Sequence, residues 1–438
     1  MLLQTHPLYL LVHGSAGSGK SLLLKAIRNG VREHFKSDDS CIVTARTAVG
    51  AALLDAHTIN SLFILWSLSS KEDFLKSVEN RQMNHLEWMR DSKVILIDII
   101  NFVDAIIFAT IDHRLREITG KSKPFGGLSV IVFGDFYQLP PVNGYWIFEG
   151  LPNELLDTFR MKCPGSPDNL WNLFKIVELD ENRKNSQSPL EQFNVNGYNA
   201  FYYLKKNCRL CWDSDQTIEE IVDGYIWLCE NYPGKTFAVV ATTGDMVKDI
   251  NDAIVERAPD YCEYPAEDSV NSDFPKHGLV ADKDLMVSDG CPVILTCNIP
   301  EYSLKNGAQG VVVNFDDEEI FVDFSSVGVS LRREDFVDNK KRERWSQFPI
   351  RVAYAHTIER SQGMHFDGVV LVRNKSWKRE ERYTWMDEHK DGTGELYTAL
   401  SRARDLKLCF VTPLRNPQFR VAPEATEEIE RMRRDCPG

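Results

Sequence analysis

The sequence predicts an α/β fold with two parallel sheets, because short apolar strands alternate with helical stretches in the first third and again in the last two-thirds of the chain. The strand segments are rich in β-branched residues and are bounded by longer helical patterns. Unbroken apolar strands of this kind are typical of a parallel sheet that helices cover on both faces. The clearest of them lie at residues 8–12, 41–44, 94–97, 129–133, 237–240, 292–296, 350–353 and 368–372.

The pattern changes between residues 284 and 348. Short strands there are separated by glycine turns, at Asn306-Gly307 and at Gly310, and by an acidic stretch at residues 316–319. Such a run is typical of a small antiparallel β module. We therefore expect a β insertion within the second half of the chain.

Composition narrows the classes of function. The chain has 438 residues, 43% of them hydrophobic, and a formal net charge of −13, which argues against a protein that binds nucleic acid through bulk electrostatics. A protein that binds nucleic acid through a local track of basic residues remains compatible with this net charge. The sequence contains no run of about 18 apolar residues, which is the length that would predict a membrane span. The ten cysteines form no paired framework, and Cys208 and Cys211 make a lone C-x-x-C, so we expect a reducing, intracellular setting.

The strongest motif follows the first strand and opens a helix. It reads Gly14-Ser15-Ala16-Gly17-Ser18-Gly19-Lys20-Ser21 and fits G-x-x-x-x-G-K-[ST]. The glycines allow backbone N–H groups to close on phosphate oxygens, while Lys20 supplies a positive charge and Ser21 offers a hydroxyl to Mg²⁺. The sequence therefore predicts a P-loop NTPase that binds ATP with Mg²⁺.

Two later strand ends supply side chains that suit this site. Residues 94–97 form an apolar strand that ends in Asp98, as expected of the second magnesium ligand. Gln138 follows the strand at residues 129–133, where an amide can sense the γ-phosphate. The residue type alone is weak evidence that Gln138 is this sensor.

Eight segments occur in an order that resembles the Pif/RecD-like superfamily-one DNA helicases, in particular the Helitron-type and viral Pif-like helicases. They are GSAGSGKS, TARTAVGAALLDAHTINSLF, VILIDIINFVD, IDHRLREITGKSKPFGGLSVIVFGDFYQLPPV, LDENRKNS, PVILTCNIPEYSLKNGAQGVVV, FPIRVAYAHTIERSQGMHFDGVVLV and GELYTALSRARDLKLCFV. Together they span nearly the whole chain. A set of eight in order is far more specific than any one motif.

The resemblance implies two RecA-like lobes with two insertions. The first lobe would cover residues 1–155, with a wedge-like insertion at 62–91. The second lobe would comprise 156–284 and 349–438, separated by a small β-barrel at 285–348. The implied partners are single-stranded DNA and forked or tailed duplex DNA, bound by a monomer.

The resemblance also implies residue roles. Gln138 resembles the γ-phosphate sensor, Arg183 and Arg402 resemble arginine fingers from the second lobe, and Gly363 joins the nucleotide site. The residues that resemble strand-contacting positions have hydroxyl, amide or imidazole groups suited to phosphate contact. They are Thr47, His57 and Thr58 in the first lobe, and Asn306, Thr357, Ser361 and Gln362 in the second.

Three departures from the family pattern concern activity. The family has Asp-Glu where this chain has Asp98-Ile99, so the carboxylate that polarises the attacking water is missing. The adenine-recognising glutamine motif would lie upstream of Gly14, and Gln4 is too close to replace it. Glu359 adds a negative charge beside the expected DNA track.

Three functions therefore remain to be separated. The first is an ATP-driven DNA helicase that moves 5′ to 3′ on single-stranded DNA. The second is a non-hydrolysing, ATP-gated clamp on single-stranded DNA, which Ile99 favours. The third is another P-loop enzyme such as a nucleotide kinase, which fails to explain Arg183 and Arg402.

Overall fold

The computed structural model describes residues 6–65, 84–141, 144–179, 204–212, 214–268, 282–325, 327–338, 343–373, 394–412 and 422–436. These residues form two compact units. Unit 1 contains the described residues up to 179, together with 394–401 and 422–436. Unit 2 contains those from 204 to 373, together with 402–412.

The amino-terminal part of unit 1 alternates strands and helices. In chain order it contains β1 (Tyr9–His13), α1 (Lys20–Phe35), β2 (Cys41–Ala45), α2 (Ala48–Leu53), β3 (His57–Thr58), α3 (Ile59–Phe63), β4 (Val94–Asp98), α4 (Ala105–Thr119), β5 (Ser129–Gly134), α5 (Asn153–Lys162) and β6 (Lys175–Glu178).

The rest of the chain begins in unit 2 with β7 (Leu210–Cys211), α6 (Ile218–Asn231), β8 (Phe237–Ala241), α7 (Gly244–Val255), β9 (Cys262–Pro265), β10 (Glu267–Asp268) and β11 (Asp284–Val287). It continues with β12 (Pro292–Leu295), β13 (Gln309–Phe315), β14 (Ile320–Asp323), β15 (Gly328–Leu331), β16 (Glu334–Asp338), β17 (Glu343–Gln347), β18 (Ile350–Val352), β19 (Ala355–Thr357) and β20 (Gly368–Val372). The last elements are α8 (Glu395–Leu400) in unit 1, β21 (Phe410–Thr412) in unit 2 and α9 (Pro423–Asp435) in unit 1.

The sheet of unit 1 is parallel throughout, in the order β3-β2-β4-β5-β1-β6. Alternate residues of β4 enter two different cores: Ile95 and Ile97 join one hydrophobic cluster, and Val94 and Leu96 join another. Both faces of the sheet are therefore covered. This explains why the strands read as unbroken apolar runs.

Unit 2 has a second parallel sheet, in the order β19-β8-β20-β21-β7. The prediction of two parallel sheets in an α/β fold is confirmed. The remaining strands of unit 2 are antiparallel and include the five-stranded sheet β15-β14-β13-β12-β18. Antiparallel strands extend from Cys262 to Val352, beyond both ends of the range 285–348 that the sequence predicted for the insertion.

The first domain boundary differs from the sequence prediction. Residue 155 falls inside α5, and the chain stays in unit 1 through β6. The reason is that β6 pairs in parallel with β1, the strand that leads into the P-loop. This edge strand was too short and too exposed for its sequence to identify it as part of the first sheet.

The predicted second lobe at 349–438 is wrong at its carboxyl end. The carboxyl-terminal helix α9, which the prediction included in that lobe, packs on unit 1. Ala425, Ile429 and Met432 lie at helical spacing and enter the same core cluster as α4. Glu428 of this helix accepts a hydrogen bond from Trp171 Nε1 at 2.8 Å. The chain therefore returns to its first unit after completing the second sheet.

Only the two ends of the predicted wedge at 62–91 belong to the described part of the chain. Leu62 and Phe63 are buried in the core of unit 1, as are Leu86 and Met89 at the other end. Trp88 is 41% exposed. The two ends thus anchor the segment in the first core. The described helices include none with the length and apolar character that crossing a membrane would require.

The packing of α9 predicts a specific loss of stability. Ile429 is fully buried, so Ile429→Ala should lower the free energy of unfolding by about 2–5 kcal/mol through lost apolar contact and cavity formation. Arg434→Ala, at an exposed position of the same helix, is the matched control. Urea denaturation of both variants tests this, and equal stability of the two would contradict the packing.

Candidate functional site

The P-loop is built at the carboxyl end of β1, where the chain turns into α1. Gly17 and Gly19 adopt φ values of 91° and 98°, which favour glycine over any residue with a side chain. Gly14 donates its N–H to Gly134 O at 3.3 Å, so the start of the loop is joined to the end of β5. The loop therefore has the backbone freedom and the anchoring that a phosphate cradle requires.

Lys20 is held within this loop. Its Nζ donates hydrogen bonds to the carbonyl oxygens of Gly14 at 2.6 Å and Ser15 at 2.8 Å. Ser18 Oγ is buried and has no hydrogen-bond partner among the described residues. A buried polar atom of this kind normally has a partner, and a phosphate oxygen would supply one. The loop thus fits the phosphate chain of a nucleotide.

Asp98 ends β4, and its Oδ1 accepts a hydrogen bond from the Ile99 N–H at 2.9 Å. Burial raises the pKa of this carboxyl, and the hydrogen bond from Ile99 and the charge of Lys20 oppose that rise. Ser21, which begins the helix after the loop, is exposed. A hard divalent cation would favour the charged form of Asp98, so the donor set of Ser21 and Asp98 suits Mg²⁺.

Ile99 occupies an unusual backbone conformation next to this carboxylate. Its φ is 59° and its ψ is 47°, in the left-handed region where a β-branched residue is a rare outlier. The side chain is 8% exposed, and its Cδ1 lies 2.7 Å from the position that a Cβ on Gly50 would take. Ile99 is therefore packed against α2 and brings no polar group to the site.

The segment after β5 is organised by Asp135, a residue to which the sequence analysis gave no role. Asp135 is 1% exposed, and its Oδ1 accepts the Tyr137 N–H at 3.1 Å. Its Oδ2 accepts Gln138 Nε2 at 3.1 Å and the Tyr397 hydroxyl at 2.8 Å. An aspartate directly after a buried strand was the available signal. Its partner Tyr397 lies 262 residues away, beyond the reach of local patterns.

A second polar chain joins the same segment to α9. His13 Nε2 accepts the Phe136 N–H at 3.4 Å, and its Nδ1 lies 3.6 Å from Glu178 Oε1. Arg433 binds both oxygens of Glu178, each at 2.7 Å. Hydrogen bonds from His13 and Arg433 lower the pKa of Glu178 to about 2. The residue just before the P-loop is therefore connected to the carboxyl-terminal helix.

Of the predicted DNA-contacting residues of unit 1, His57 and Thr58 form β3, and Thr47 lies beyond the carboxyl end of β2. Thr47 Oγ1 accepts the Gly50 N–H and caps α2, while Thr58 Oγ1 accepts the Ser61 N–H and caps α3. His57 is exposed and pairs with Thr44 in the sheet register. Both threonine hydroxyls thus have a local capping role that the sequence analysis did not assign.

The corresponding residues of unit 2 begin with Thr357, the last residue of β19, and continue in the segment after it. Thr357 Oγ1 accepts the Arg360 N–H at 3.3 Å, and the Ser361 hydroxyl donates to Ile358 O at 2.8 Å. Gln362 is 1% exposed, and neither its Oε1 nor its Nε2 has a partner among the described residues. The adjacent Gly363 has a φ of 88°. A buried amide normally has hydrogen-bond partners at both ends.

The remaining residues that the sequence singled out lie in or beside unit 2, or outside the described part of the chain. Asn306 donates from Nδ2 to Thr296 O at 2.9 Å, and its Oδ1 is buried without a partner in the described residues. Arg402 follows α8 and accepts the Phe366 N–H through its carbonyl at 2.9 Å within unit 2. Arg183 and Gln4 lie outside the described residues.

Comparison with known proteins gives a consistent result. Residues 2–216 match the PIF1-like helicase family. The chain is 25% identical over 448 residues to the ATP-dependent DNA helicase PIF1 of Xenopus laevis, covering 96% of this chain and 61% of that protein. It is also 25% identical to the Pif1 of Bdellovibrio bacteriovorus, covering 90% of this chain and 82% of that protein. Against the relatives from Xenopus laevis and Danio rerio, the chain spans only 61% and 57% of their length.

Solved structures have the same fold. Pif1 of Bacteroides bound to single-stranded DNA matches with a TM-score of 0.66 and 24% identity, over 99% of this chain and 95% of that one. Pif1 of Candida albicans matches with a TM-score of 0.69 and 20% identity, over 97% and 96%. The P-loop and the Asp98 strand end agree with these likenesses, and the chain is similar over most of its length to the Pif1-like helicases.

Proposed function

We propose that this chain is an ATP-dependent DNA helicase that moves along single-stranded DNA in the 5′-to-3′ direction. The observation that carries this proposal is the assembly of P-loop, Asp98 and Gln138 at one edge of the parallel sheet. The relatives from Xenopus laevis and Bdellovibrio bacteriovorus are named ATP-dependent DNA helicases. Bacteroides Pif1 has been solved with ADP-AlF3 and single-stranded DNA.

Different groups in the proposed nucleotide site bind the phosphates, the metal ion and the attacking water. Backbone N–H groups of residues 14–21 hold the phosphates, and Lys20 exchanges its two loop carbonyls for phosphate oxygens. Ser21 and Asp98 would hold Mg²⁺, which neutralises phosphate charge when bound. Gln138 orients water at the γ-phosphate. The residues proposed to complete the site from elsewhere in the chain are Arg183, Gly363 and Arg402.

The proposed DNA contacts are mainly to phosphates, which position a strand without reading its bases. In unit 1 they involve the capping loops at Thr47 and Thr58, with His57 beside them. In unit 2 the strongest support comes from Gln362, whose buried amide would gain a hydrogen-bond partner from the strand. The other proposed contacts are made by Asn306, Thr357 and Ser361.

Ile99 favours a second candidate, the ATP-gated clamp that binds single-stranded DNA without rapid turnover. An aliphatic side chain cannot accept a proton or orient a water, and this one is directed into α2. Asp104 is committed to capping α4, where its Oδ1 accepts the Ile107 N–H at 2.8 Å. We therefore propose a helicase whose binding steps are intact and whose hydrolysis is slow.

Removing the P-loop lysine tests nucleotide binding. Lys20→Ala should weaken ATP binding by at least about tenfold, since a charge-assisted hydrogen bond contributes about 1.5–3 kcal/mol. Lys25→Ala, at an exposed position of α1, removes the same charge outside the loop and should leave affinity unchanged. Fluorescent-nucleotide titration measures both, and equal affinity in the two variants would remove Lys20 from the site.

Tailed duplexes test movement and its direction. The chain should separate a duplex with a 5′ single-stranded tail in the presence of ATP and Mg²⁺, and should leave a 3′-tailed duplex of the same sequence paired. A gel assay under single-turnover conditions detects slow unwinding. Preference for the 3′ tail would contradict the direction, and tight binding to both substrates without any strand separation would favour the clamp.

Replacing Ile99 tests the cause of slow hydrolysis. A positioned general base contributes about 10²–10⁴-fold to rate, so Ile99→Glu should raise DNA-stimulated ATP turnover within that range. Glutamate also lacks the β-branching that makes the left-handed conformation costly. Ile99→Gln has nearly the same shape but cannot accept the proton, and should recover much less.

The comparison of these two variants is decisive for Ile99. Equal turnover in Ile99→Glu, Ile99→Gln and the parent would mean that another group acts as the base.

A further inference from the structure

One carboxylate oxygen of Asp135 holds two side chains from distant parts of the sequence. Asp135 Oδ2 accepts Gln138 Nε2 at 3.1 Å and the Tyr397 hydroxyl at 2.8 Å. Asp135 is 1% exposed and Tyr397 is 7% exposed, so water has little access to either bond. Hydrogen bonds to a charged acceptor in such surroundings are stronger than those between neutral groups.

The helix that carries Tyr397 is fastened to the same segment at two more points. Thr398 Oγ1 accepts the Leu139 N–H at 3.0 Å. At the start of α8, a Cβ on Gly394 would lie 2.7 Å from Gln138 O, and the φ of Gly394 is 74°. Only glycine permits this close approach. The helix α8 is therefore placed directly against residues 138–139 by both backbone and side chain.

The chain leaves unit 1 immediately after this helix. Residues 394–401 belong to unit 1, and Arg402 is the first residue of the next segment of unit 2. The Arg402 carbonyl accepts the Phe366 N–H in that unit. A single short helix thus connects the loop of Gln138 to the residue proposed as an arginine finger.

The carboxylate also determines which way the Gln138 amide faces. A carboxylate only accepts hydrogen bonds, so the NH₂ end of Gln138 must point to Asp135. The carbonyl Oε1 is then directed to the other side of the amide. Asp135 therefore selects the rotamer and the amide orientation of the proposed γ-phosphate sensor.

We propose that Tyr397 and Asp135 are positioning residues that hold Gln138 and α8, the helix that precedes Arg402 in the chain, in one arrangement, so that nucleotide binding changes the affinity for single-stranded DNA. This inference rests on the proposed function and assigns it two further residues. The Tyr397 hydroxyl is the bond that joins α8 to the carboxylate that orients Gln138. Without it, Gln138 keeps its carboxylate but α8 loses its charged anchor.

Tyr397→Phe tests the link because it removes one hydroxyl and keeps the packed ring. Tyr264→Phe is the matched control: its hydroxyl donates to Asp316 O at 2.8 Å within unit 2, away from the Asp135 segment in sequence and in unit. The affinity for a labelled oligothymidine is measured by fluorescence anisotropy, with and without a non-hydrolysable ATP analogue and Mg²⁺. Binding of the analogue itself and the melting temperature are measured separately.

We expect the analogue to change the DNA affinity of the parent and of Tyr264→Phe by a similar factor, typically about 5- to 150-fold for coupled sites. In Tyr397→Phe this factor should fall by about tenfold or vanish, because a hydrogen bond to a charged group is lost. Analogue affinity measured without DNA should stay within about twofold of the parent, since the hydroxyl donates to Asp135, which lies outside the P-loop.

Asp135→Asn gives an independent check. The amide has one acceptor oxygen and no negative charge. Either the Tyr137 N–H loses its partner while the bonds from Gln138 and Tyr397 weaken, or both of these side chains lose their shared acceptor. Combining it with Tyr397→Phe should add little further loss of coupling, as expected for residues that act through one interaction.

The outcomes separate this inference from the function on which it rests. A parent that binds neither nucleotide nor single-stranded DNA contradicts the proposed helicase. A parent that shows coupling, together with a Tyr397→Phe variant that keeps the full factor, contradicts the positioning role alone. A Tyr397→Phe variant that melts earlier and loses analogue and DNA affinity equally also overturns it, because the hydroxyl would then serve only stability.

Discussion

The arrangement of unit 1 depends on one constraint: the parallel strands β4, β5 and β1 are neighbours and end at the same edge of the sheet. The edge therefore collects Asp98, the Asp135–Gln138 segment and the P-loop without any of them being close in sequence. The Gly14–Gly134 hydrogen bond joins two of these strand ends directly. Ligand sites at the carboxyl edge of parallel sheets are a general consequence of this geometry.

A second feature is that three separate segments of the chain form unit 1. The helix α8 returns to it before Arg402, and α9 returns after β21. Both helices reach residues at the carboxyl ends of β5 and β1: Tyr397 binds Asp135, and Arg433 reaches His13 through Glu178. Tyr397 is thus held by a buried carboxylate of unit 1, whereas Arg433 binds a carboxylate that is partly exposed. The last quarter of the sequence therefore has a direct role in positioning residues of the first half.

Local patterns were sufficient for some parts of this structure and not for others. The P-loop and the Asp98 strand could be predicted because glycine spacing and unbroken apolar runs encode them locally. The placement of α9 could not, since its apolar stripe of Ala425, Ile429 and Met432 fits any core. Asp135 was overlooked because its importance depends on Tyr397. The left-handed Ile99 is likewise visible only in the backbone geometry.

The central claim is that this chain uses ATP to act on single-stranded DNA, with binding intact and hydrolysis slow. The most direct test is steady-state ATP turnover of the parent chain across a titration of single-stranded DNA, with the nucleotide affinity measured in parallel. We predict normal ATP binding and a low basal rate that rises as the strand saturates the protein. ATP turnover that is rapid and indifferent to single-stranded DNA would contradict the account.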